Sequence, residues 1–366
     1  MPAGADLEPE SFSVLPGWAG DDHAAAYAAF RRSAFRALEK PYRTGSLRIE
    51  AAAFDPAFAA ARAMSAPTAA EARTFFETHF RPFRIRPRGG AGFVTGFYEP
   101  VARAAPVRTP EFTVPLYRRP DDLVDLDDAG RPAGMDPYFA FGRKTDAGIV
   151  EYSDRGAIER GALAGRGLEF AWLADKVDVF FIHVQGAARL VMPDGAERRV
   201  TYAAKSGHPF TGAGRVLVEK GELALADVTM QSIRAWFRVH PDRVDEILWR
   251  NRSFIFFRDA PVDDPTLGPV AAAKVPLAAG RSMAVDRLIH TFATPFFVDA
   301  PTLTAFGGER FSRLMIAQDT GSAIVGPARG DLFAGSGNAA GEIAGVVRNA
   351  ADFHILVPAT IAERFP

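Results

Sequence analysis

The sequence predicts an α+β protein, mainly β, with small β-barrels and an N-terminal helical region. Residues 23–84 are rich in alanine and carry aromatic residues at helical intervals, which predicts helices. From about residue 91, short β-branched and aromatic segments are separated by turns rich in glycine and proline. This order favours an α+β fold over a doubly wound sheet, in which strands and helices would alternate along the whole chain.

Length and composition limit the classes of function. The chain has 366 residues, enough for two domains, and no cysteine, which excludes disulfides, thiolate metal sites and a cysteine nucleophile. The formal net charge of -1 gives no overall field toward nucleic acid, so no nucleic-acid partner is expected. The apolar runs fall short of the roughly 20 residues of a membrane span. Residues 1–12 lack the features of a signal peptide, so we expect either a cytosolic protein or the mature form of an exported one.

Two parts of the chain carry helix signals. In the first, Thr68 and Glu71 form a capping box before an apolar-periodic run, and Pro82 is expected to end that helix. In the second, residues 230–250, Asp227 is the expected N-cap and Pro241 an interruption. These signals predict a helical N-terminal region and one helical pair in the middle of the chain.

Strand signals fill most of the remaining chain. The clearest is a hairpin across residues 177–204, in which two strand-like runs meet at the turn residues 193–195. Further strands are expected within residues 91–105, 111–120, 253–258, 280–289, 295–301, 311–319 and 352–358. Turn residues rich in glycine lie between these runs, which predicts short strands with long connections.

Three aspartates, Asp286, Asp319 and Asp331, stand at expected strand ends beside small residues. Strand ends next to glycine-rich loops commonly present catalytic groups, because glycine lets the backbone and a bulky ligand approach closely. Each aspartate taken alone is equally typical of a turn or a cap. Their occurrence within one 46-residue segment supports a shared site as strongly as a structural role.

The segment "QDTGSAI", residues 318–324, resembles the active-site strand of an aspartic protease. That chemistry needs two carboxylates sharing one proton, and a single chain must then supply two such strands. This chain has one, and only 47 residues follow Asp319. The protease interpretation is therefore rejected. The histidines show no metal-ligand spacing, so no metal site is expected.

Several segments in a fixed order resemble one known family. They are "TGFYEP" (95–100), "FFIHVQGAARLVMPDG" (180–195), "YAAKSGHPFTGAGRVLV" (202–218) and "MIAQDTGSAIVGPARGDLFAGSGNAAGEIAG" (315–345). Together with intervening matches they cover roughly residues 91–358 and resemble the membrane-bound lytic murein transglycosylase A family. The resemblance implies a double-psi β-barrel catalytic domain, formed by residues 1–103 with 250–366 and including the N-terminal helices. Residues 104–249 would form an inserted second β-barrel domain, the other wall of a large groove.

The resemblance also implies an activity: non-hydrolytic cleavage of the β-1,4 bond between N-acetylmuramic acid and N-acetylglucosamine, leaving a 1,6-anhydro ring. Asp331 matches the family's single catalytic acid. Hydrolytic glycosidases use two carboxylates. Here the sugar's own 6-hydroxyl would replace water, so that Asp331 acts first as acid and then as base. Its pKa should be raised by partial burial and a nearby carboxylate. Asp319 is expected either to be that carboxylate or to orient Asp331, whereas Asp286 is expected to support loops.

The matched positions assign five further residues to the substrate groove: Thr95, Tyr98, Gln185, Lys205 and His208. Such side chains can hydrogen-bond to or stack on sugars, and a structural role in strands and turns is the alternative for each.

The expected partners are peptidoglycan glycan strands, with no cofactor, in the periplasm. The resemblance adds outer-membrane attachment of the precursor and cell-wall enzyme complexes as further expectations. A non-catalytic glycan-binding double-psi barrel protein is the alternative. Two substitutions suggest it: Ala187 stands where the family has a polar residue, and Ala334 stands where the family has a bulkier one.

Overall fold

A computed structural model describes residues 4–127, 129–261 and 263–365 of the chain. The chain divides into two compact units, residues 1–98 with 264–366 and residues 99–263. Both units mix helices with sheets, in agreement with the predicted α+β class.

Among the described residues, five helices lie in the two predicted helical segments and four lie outside them. They are α1 (His23–Arg36), α2 (Asp55–Ala63), α3 (Ala69–His79), α4 (Arg155–Ala157), α5 (Lys176–Gln185), α6 (Ala213–Glu219), α7 (Met230–Val239), α8 (Val244–Leu248) and α9 (Gly337–Val346). The predicted capping box is present at α3, where Glu71 Oε2 accepts the Thr68 N–H at 2.8 Å. The predicted cap of α7 is wrong: Thr229, not Asp227, accepts the first free N–H, because the helix begins two residues later than expected.

The strands of the described residues are β1 (Ala5–Pro9), β2 (Phe80–Pro87), β3 (Phe93–Glu99), β4 (Val101–Arg103), β5 (Val114–Tyr117), β6 (Leu123–Asp125), β7 (Phe141–Thr145), β8 (Gly148–Val150), β9 (Glu169–Leu173), β10 (Ala187–Val191), β11 (Glu197–Lys205), β12 (Ile255–Ala260), β13 (Ser282–Ala284), β14 (Pro295–Ala300), β15 (Phe311–Asp319), β16 (Arg329–Ser336), β17 (Arg348–Ala350) and β18 (Asp352–Pro358). Pro82 was expected to end a helix but lies inside β2, opposite Leu356 of β18. Helix α3 ends earlier, at His79.

One sheet organises the first unit. Its strands run in the order β1-β2-β18-β14-β15-β13-β16-β3-β17, and the pairings of the described residues do not close it into a ring. Helix α1 packs on this sheet through the fully buried Phe30, whose ring lies 5.4–6.0 Å from those of Phe58, Phe76 and Phe80. Burying such aromatic rings removes a large apolar area from water and fixes the helix against the strands.

The second unit contains a four-stranded sheet, β12-β11-β10-β4, and two smaller sheets, β5-β9 and β6-β7-β8. Its boundaries differ from the predicted insertion at 104–249. Strand β4 pairs with β10, and β12 pairs with β11, so both strands belong to the second unit through their backbone hydrogen bonds.

The predicted hairpin is confirmed only in its second part. Strands β10 and β11 pair in an antiparallel manner around the turn at 192–195, but residues 176–185 form helix α5. Asp175 Oδ1 caps this helix by accepting the N–H groups of Val177 and Asp178. The error has a physical reason: a short apolar run that is buried on most of its faces has no clear periodicity to separate helix from strand.

Gly186 ends α5 and sets the direction of β10. Its φ of 74° lies in the left-handed region, and an added Cβ would meet no atom within 4 Å. The cost of a side chain there is therefore conformational, about 1–2 kcal/mol. We expect Gly186→Ala to lower the free energy of unfolding in urea by that amount. Gly186→Asn should recover part of it, since asparagine tolerates this conformation; equal stability of all three proteins would contradict the assignment.

Candidate active site

Strand β13 lies between the two strands that carry the candidate catalytic aspartates. Its residue Ala284 pairs with Asp319 of β15 on one side and with Asp331 of β16 on the other. Neighbouring strands are about 4.8 Å apart, so the backbones of the two aspartates lie roughly 10 Å apart. The methyl group of Ala284 leaves space between the two side chains.

The end of β15 is fixed by Gln318, which is fully buried. Its Oε1 accepts a hydrogen bond from Ser282 Oγ of β13 at 2.6 Å, and its Nε2 donates to Ala29 O of α1 at 2.8 Å. These bonds hold β15, β13 and α1 together at the residue that precedes Asp319. The carboxylate is thus presented from a rigid element rather than from a loose loop.

Asp331 accepts a short hydrogen bond from Thr95 of β3, with 2.5 Å between Thr95 Oγ1 and Asp331 Oδ1. Arg329 Nη2 donates to the same Thr95 oxygen at 2.7 Å. Burial raises the pKa of Asp331, while the Thr95 hydroxyl and the Arg329 charge offset part of that rise. The net effect is a raised pKa, as a general acid requires.

Asp319 has its pKa raised to about 6. Burial is the main cause, and the nearby charge of Asp331 adds to it. The N–H groups of Thr320 and Ala272 and the charge of Lys274 act in the opposite direction; Ala272 N donates to Asp319 Oδ1 at 3.2 Å. The two carboxyl groups therefore interact electrostatically, and both favour the protonated form more than a free aspartate does.

The raised pKa of Asp319 gives a stability prediction. The folded pKa, about 6, lies above the ordinary 3.8, so the group's favourable contribution is present at low pH and lost as the pH rises through 6. Asp319→Asn is neutral at every pH. Its melting temperature relative to wild type should therefore be higher at about pH 8 than at about pH 4. A difference that stays constant with pH, or that changes in the opposite direction, would show that Asp319 is not shifted in this way.

An apolar cluster that includes Ala284 adjoins the acidic pair and is consistent with the raised pKa values. Phe97 and Phe333 lie with ring centroids 5.2 Å apart, in one buried cluster with Leu277, Ala284 and Ile324. Gly268 permits the close approach of the Phe333 ring, because a Cβ at that position would lie 2.3 Å from it. Such surroundings lower the local dielectric and disfavour carboxylate charge.

Asp286, the third aspartate, has a different environment. It is buried, and its two oxygens accept the N–H groups of Leu288 at 3.0 Å and Gly326 at 2.9 Å. These bonds tie the loop after β13 to the loop before β16. The contacts are those of the loop-supporting role predicted for it, and they do not bring its carboxylate to the Asp319–Asp331 pair.

Thr95 and Tyr98 both lie on β3 in the first unit. Thr95 contacts Asp331 directly, as described above. Tyr98 is 6% exposed and packs against helix α9, where a Cβ on Gly341 would come within 3.0 Å of its ring. Thr95 thus belongs to the candidate site, and the buried ring of Tyr98 has a packing role; a sugar contact for either residue stays a prediction.

Gln185, Lys205 and His208 lie in the second unit. The Lys205 ammonium is 5.2 Å from the ring centroid of Tyr138. His208 is 1% exposed, its Nε2 donates to the Tyr152 carbonyl at 2.6 Å, and burial lowers its pKa. This burial favours the structural alternative for His208, while sugar binding by the other two stays a prediction.

Arg329 is the contributor to the site that the sequence prediction missed. It stands two residues before Asp331 on the same strand, so both side chains point to one face of β16. That spacing could have revealed it. Lys274 and Ala272 carry no such signal, because a long turn brings them to Asp319.

Within residues 4–127, 129–261 and 263–365, no three histidine, aspartate or glutamate side chains are grouped so that they could hold a metal ion. None of the helices in the same ranges combines the length and apolarity needed to cross a bilayer.

The fold and the site define a two-unit α+β protein with an acidic pair on strands β15 and β16. Two family models match the chain: the "MltA specific insert domain" over residues 93–258 and the "3D domain" over residues 281–357. The crystal structure of a membrane-bound lytic murein transglycosylase from Agrobacterium tumefaciens is 53% identical, covers 99% of this chain and 100% of its own, and superposes with a TM-score of 0.93. The chain therefore belongs to the membrane-bound lytic murein transglycosylase A family.

Two other relatives extend this result. The structure of Escherichia coli MltA with bound chitohexaose is 27% identical, with a TM-score of 0.68 over 98% of this chain and 95% of that one. The membrane-bound lytic murein transglycosylase A of Escherichia coli K12 is 33% identical over 257 residues, 69% of this chain. That match spans 61% of the curated relative's length.

Proposed function

We propose that this protein is a peptidoglycan lytic transglycosylase that cleaves the β-1,4 bond between N-acetylmuramic acid and N-acetylglucosamine and leaves 1,6-anhydromuramic acid ends. Family membership supports the substrate and the class of reaction. The observation that carries the mechanism is the setting of Asp331: a raised pKa, a hydrogen bond from Thr95 and a second carboxyl across Ala284.

In the proposed reaction, protonated Asp331 donates its proton to the glycosidic oxygen as the bond from the anomeric carbon breaks. The Asp331 carboxylate then takes the proton of the muramic acid 6-hydroxyl while that oxygen bonds to the anomeric carbon. The proton count balances, because one residue gives a proton and recovers one. The intramolecular hydroxyl replaces the water that a hydrolase would activate with a second carboxylate.

Asp319 has a supporting role in this proposal. Its charge state is coupled to that of Asp331, so a protonated Asp319 reduces the negative charge beside the reacting centre. We expect Asp319→Asn to retain part of the activity that Asp331→Asn loses.

The proposal includes a fold and a location. We assign the first unit, residues 1–98 with 264–366, to a double-psi β-barrel catalytic domain and the second unit, residues 99–263, to an inserted domain. The sheet containing β13, β15 and β16 carries the acidic pair, which supports the first assignment. Glycan strands of peptidoglycan are the proposed substrate, consistent with the chitohexaose bound to the Escherichia coli relative, and the cell envelope is therefore the proposed location.

The test is digestion of purified murein by wild type and by Asp331→Asn, with the soluble products resolved by mass. Anhydro-muropeptides from wild type alone would support the proposal. Products with reducing ends would identify a hydrolase and contradict it. Murein that is bound but not cut would instead support the glycan-binding alternative.

One observation bears on that alternative. Ala187 is buried and pairs with Thr201 in the β10–β11 ladder. Alanine at this buried position therefore does not take a polar side chain away from the protein surface. The loss of a polar contact at this position therefore gives little support to a non-catalytic protein.

Thr95 provides a prediction on pH dependence. Its hydroxyl stabilises ionised Asp331, so its loss raises the pKa of that carboxyl further. In Thr95→Val, the high-pH limb of the rate of murein cleavage should move to higher pH, because the acid stays protonated longer. Thr95→Ser keeps the hydroxyl and should keep the wild-type profile. A shift to lower pH in the valine variant would contradict the contact.

A further inference from the structure

A pocket of about 410 Å³ lies in the first unit, away from the acidic pair in the sequence. Residues 43–48 and the loop residues 287–288 form its walls. The two segments are joined by backbone hydrogen bonds, from Ser46 N to Leu288 O at 2.8 Å and from Leu47 N to Ile289 O at 3.1 Å. The walls are therefore fixed relative to each other.

The two backbone segments of this pocket are closely packed against each other. A Cβ on Gly45 would lie 2.2 Å from Ile289 O, so only glycine permits this contact. Gly45 N also donates to Thr291 Oγ1, whose hydroxyl donates to Ile49 O at 2.6 Å. Arg48 has a φ of 62°, which is uncommon for a residue other than glycine. Such strain persists where the surroundings hold it, and it is found most often at ligand sites.

Three exposed arginines are among the residues that line the pocket: Arg43, Arg48 and Arg287. In the part of the chain that the structure describes, none of them has a carboxylate within ion-pair distance. The adjacent acids are engaged elsewhere: Asp286 holds backbone N–H groups, and Glu50 is 3.8 Å from Arg364. One concave surface thus carries three arginines that have no carboxylate partner among the described residues.

We propose that this pocket is a binding site for a phosphate group. The planar guanidinium group of arginine can donate paired hydrogen bonds to phosphate oxygens. Three positive charges also exceed the single negative charge of a carboxylate ligand, which favours phosphate as the ligand. The hydroxyls of Thr44 and Ser46 add donors at the same rim. Leu288, 66% exposed beside the arginines, offers an apolar contact to whatever carries the phosphate. The ligand is either a soluble phosphate ester or the headgroup of an anionic lipid.

The test measures binding at about 0.15 M salt, where weak surface attraction is screened. The probes are inorganic phosphate and glycerol phosphate by calorimetry, and phosphatidylglycerol–phosphatidylcholine vesicles by co-sedimentation, with pure phosphatidylcholine vesicles as the blank. The wild type is compared with Arg43→Gln/Arg287→Gln and with Arg48→Asn, in which asparagine accommodates the positive φ. Arg108→Gln removes one charge at an exposed arginine of the second unit, as Arg48→Asn does in the pocket, and is the matched control for the single variant.

We expect the double variant to bind about 100-fold more weakly, because two charge-assisted contacts are lost, and Arg108→Gln to bind as wild type does. Binding of glycerol phosphate in solution would identify a soluble ester, and binding to the anionic vesicles alone would identify a lipid headgroup. Absence of binding by the wild type, or an equal loss in Arg108→Gln, would overturn the proposal. Murein cleavage is not the readout, so failure here is separate from failure of the proposed enzymatic function.

Discussion

Asp331→Asn should reduce the release of anhydro-muropeptides from murein by about 1,000-fold, since positioned acid–base catalysis commonly contributes 100- to 10,000-fold. Asparagine keeps the shape of the side chain and can still accept the Thr95 hydrogen bond at the oxygen that now stands at 2.5 Å. It cannot donate a proton to the glycosidic oxygen or take one from the 6-hydroxyl. The measurement is the initial rate of soluble product formation.

The same substitution should not destabilise the fold. Burial raises the pKa of Asp331, so ionisation of this carboxyl at neutral pH opposes folding. The neutral amide removes that penalty, and the melting temperature should stay equal or rise. Asp352→Asn, a change at an exposed carboxylate of β18, is the matched control and should keep wild-type activity. An Asp331→Asn protein that is folded and fully active would refute the assigned role.

Glu99→Gln should have the largest effect on stability. Glu99 is fully buried at the end of β3 and accepts two hydrogen bonds from Arg199, at 2.6 and 3.1 Å, and one from Arg189 at 3.2 Å. Both arginines are nearly buried on neighbouring strands β11 and β10. Replacing the carboxylate removes the buried charge that both arginines contact, although Arg189 keeps its ion pair with Glu197 at 3.4 Å. Breaking such a buried ion pair costs about 3–5 kcal/mol.

The measurement for Glu99→Gln is the free energy of unfolding in urea near neutral pH. Its matched control is Glu219→Gln, which breaks the exposed Arg215–Glu219 pair on α6 and should cost less than about 1 kcal/mol. Equal effects of the two substitutions would mean that burial of the Glu99 cluster does not determine its contribution. The cluster joins Glu99 to strands β10 and β11 of the second unit, so its loss should also lower the cooperativity of unfolding.

The sequence was sufficient to predict the class of fold and most elements with clear periodicity or turn chemistry. The capping box at Thr68 and the turn at 192–195 lie where those signals placed them. Helix α5 was missed because its side chains are buried on several faces, so its apolar run was interpreted as a strand. Pro82 was misread because its place on β2 depends on the pairing of that strand with β18 and not on the local sequence.

The candidate site was predictable in its residues but not in its geometry. Strand-end position selected Asp319 and Asp331, yet their placement on either side of Ala284 depends on a parallel and an antiparallel pairing of β13. Such long-range pairings leave no local trace in the sequence. Arg329 could have been predicted from its two-residue spacing to Asp331, whereas Ala272 contacts Asp319 only because a long turn brings it there.

In the proposed reaction the sugar's own hydroxyl, and not water, attacks the anomeric carbon. Digestion of murein in water labelled with heavy oxygen, followed by mass measurement of the released muropeptides, distinguishes the two nucleophiles. We expect anhydro products that carry no label, because the 6-hydroxyl would supply the oxygen that bonds to the anomeric carbon. Muropeptides with a labelled reducing end would show that water is the nucleophile and would contradict the proposed reaction.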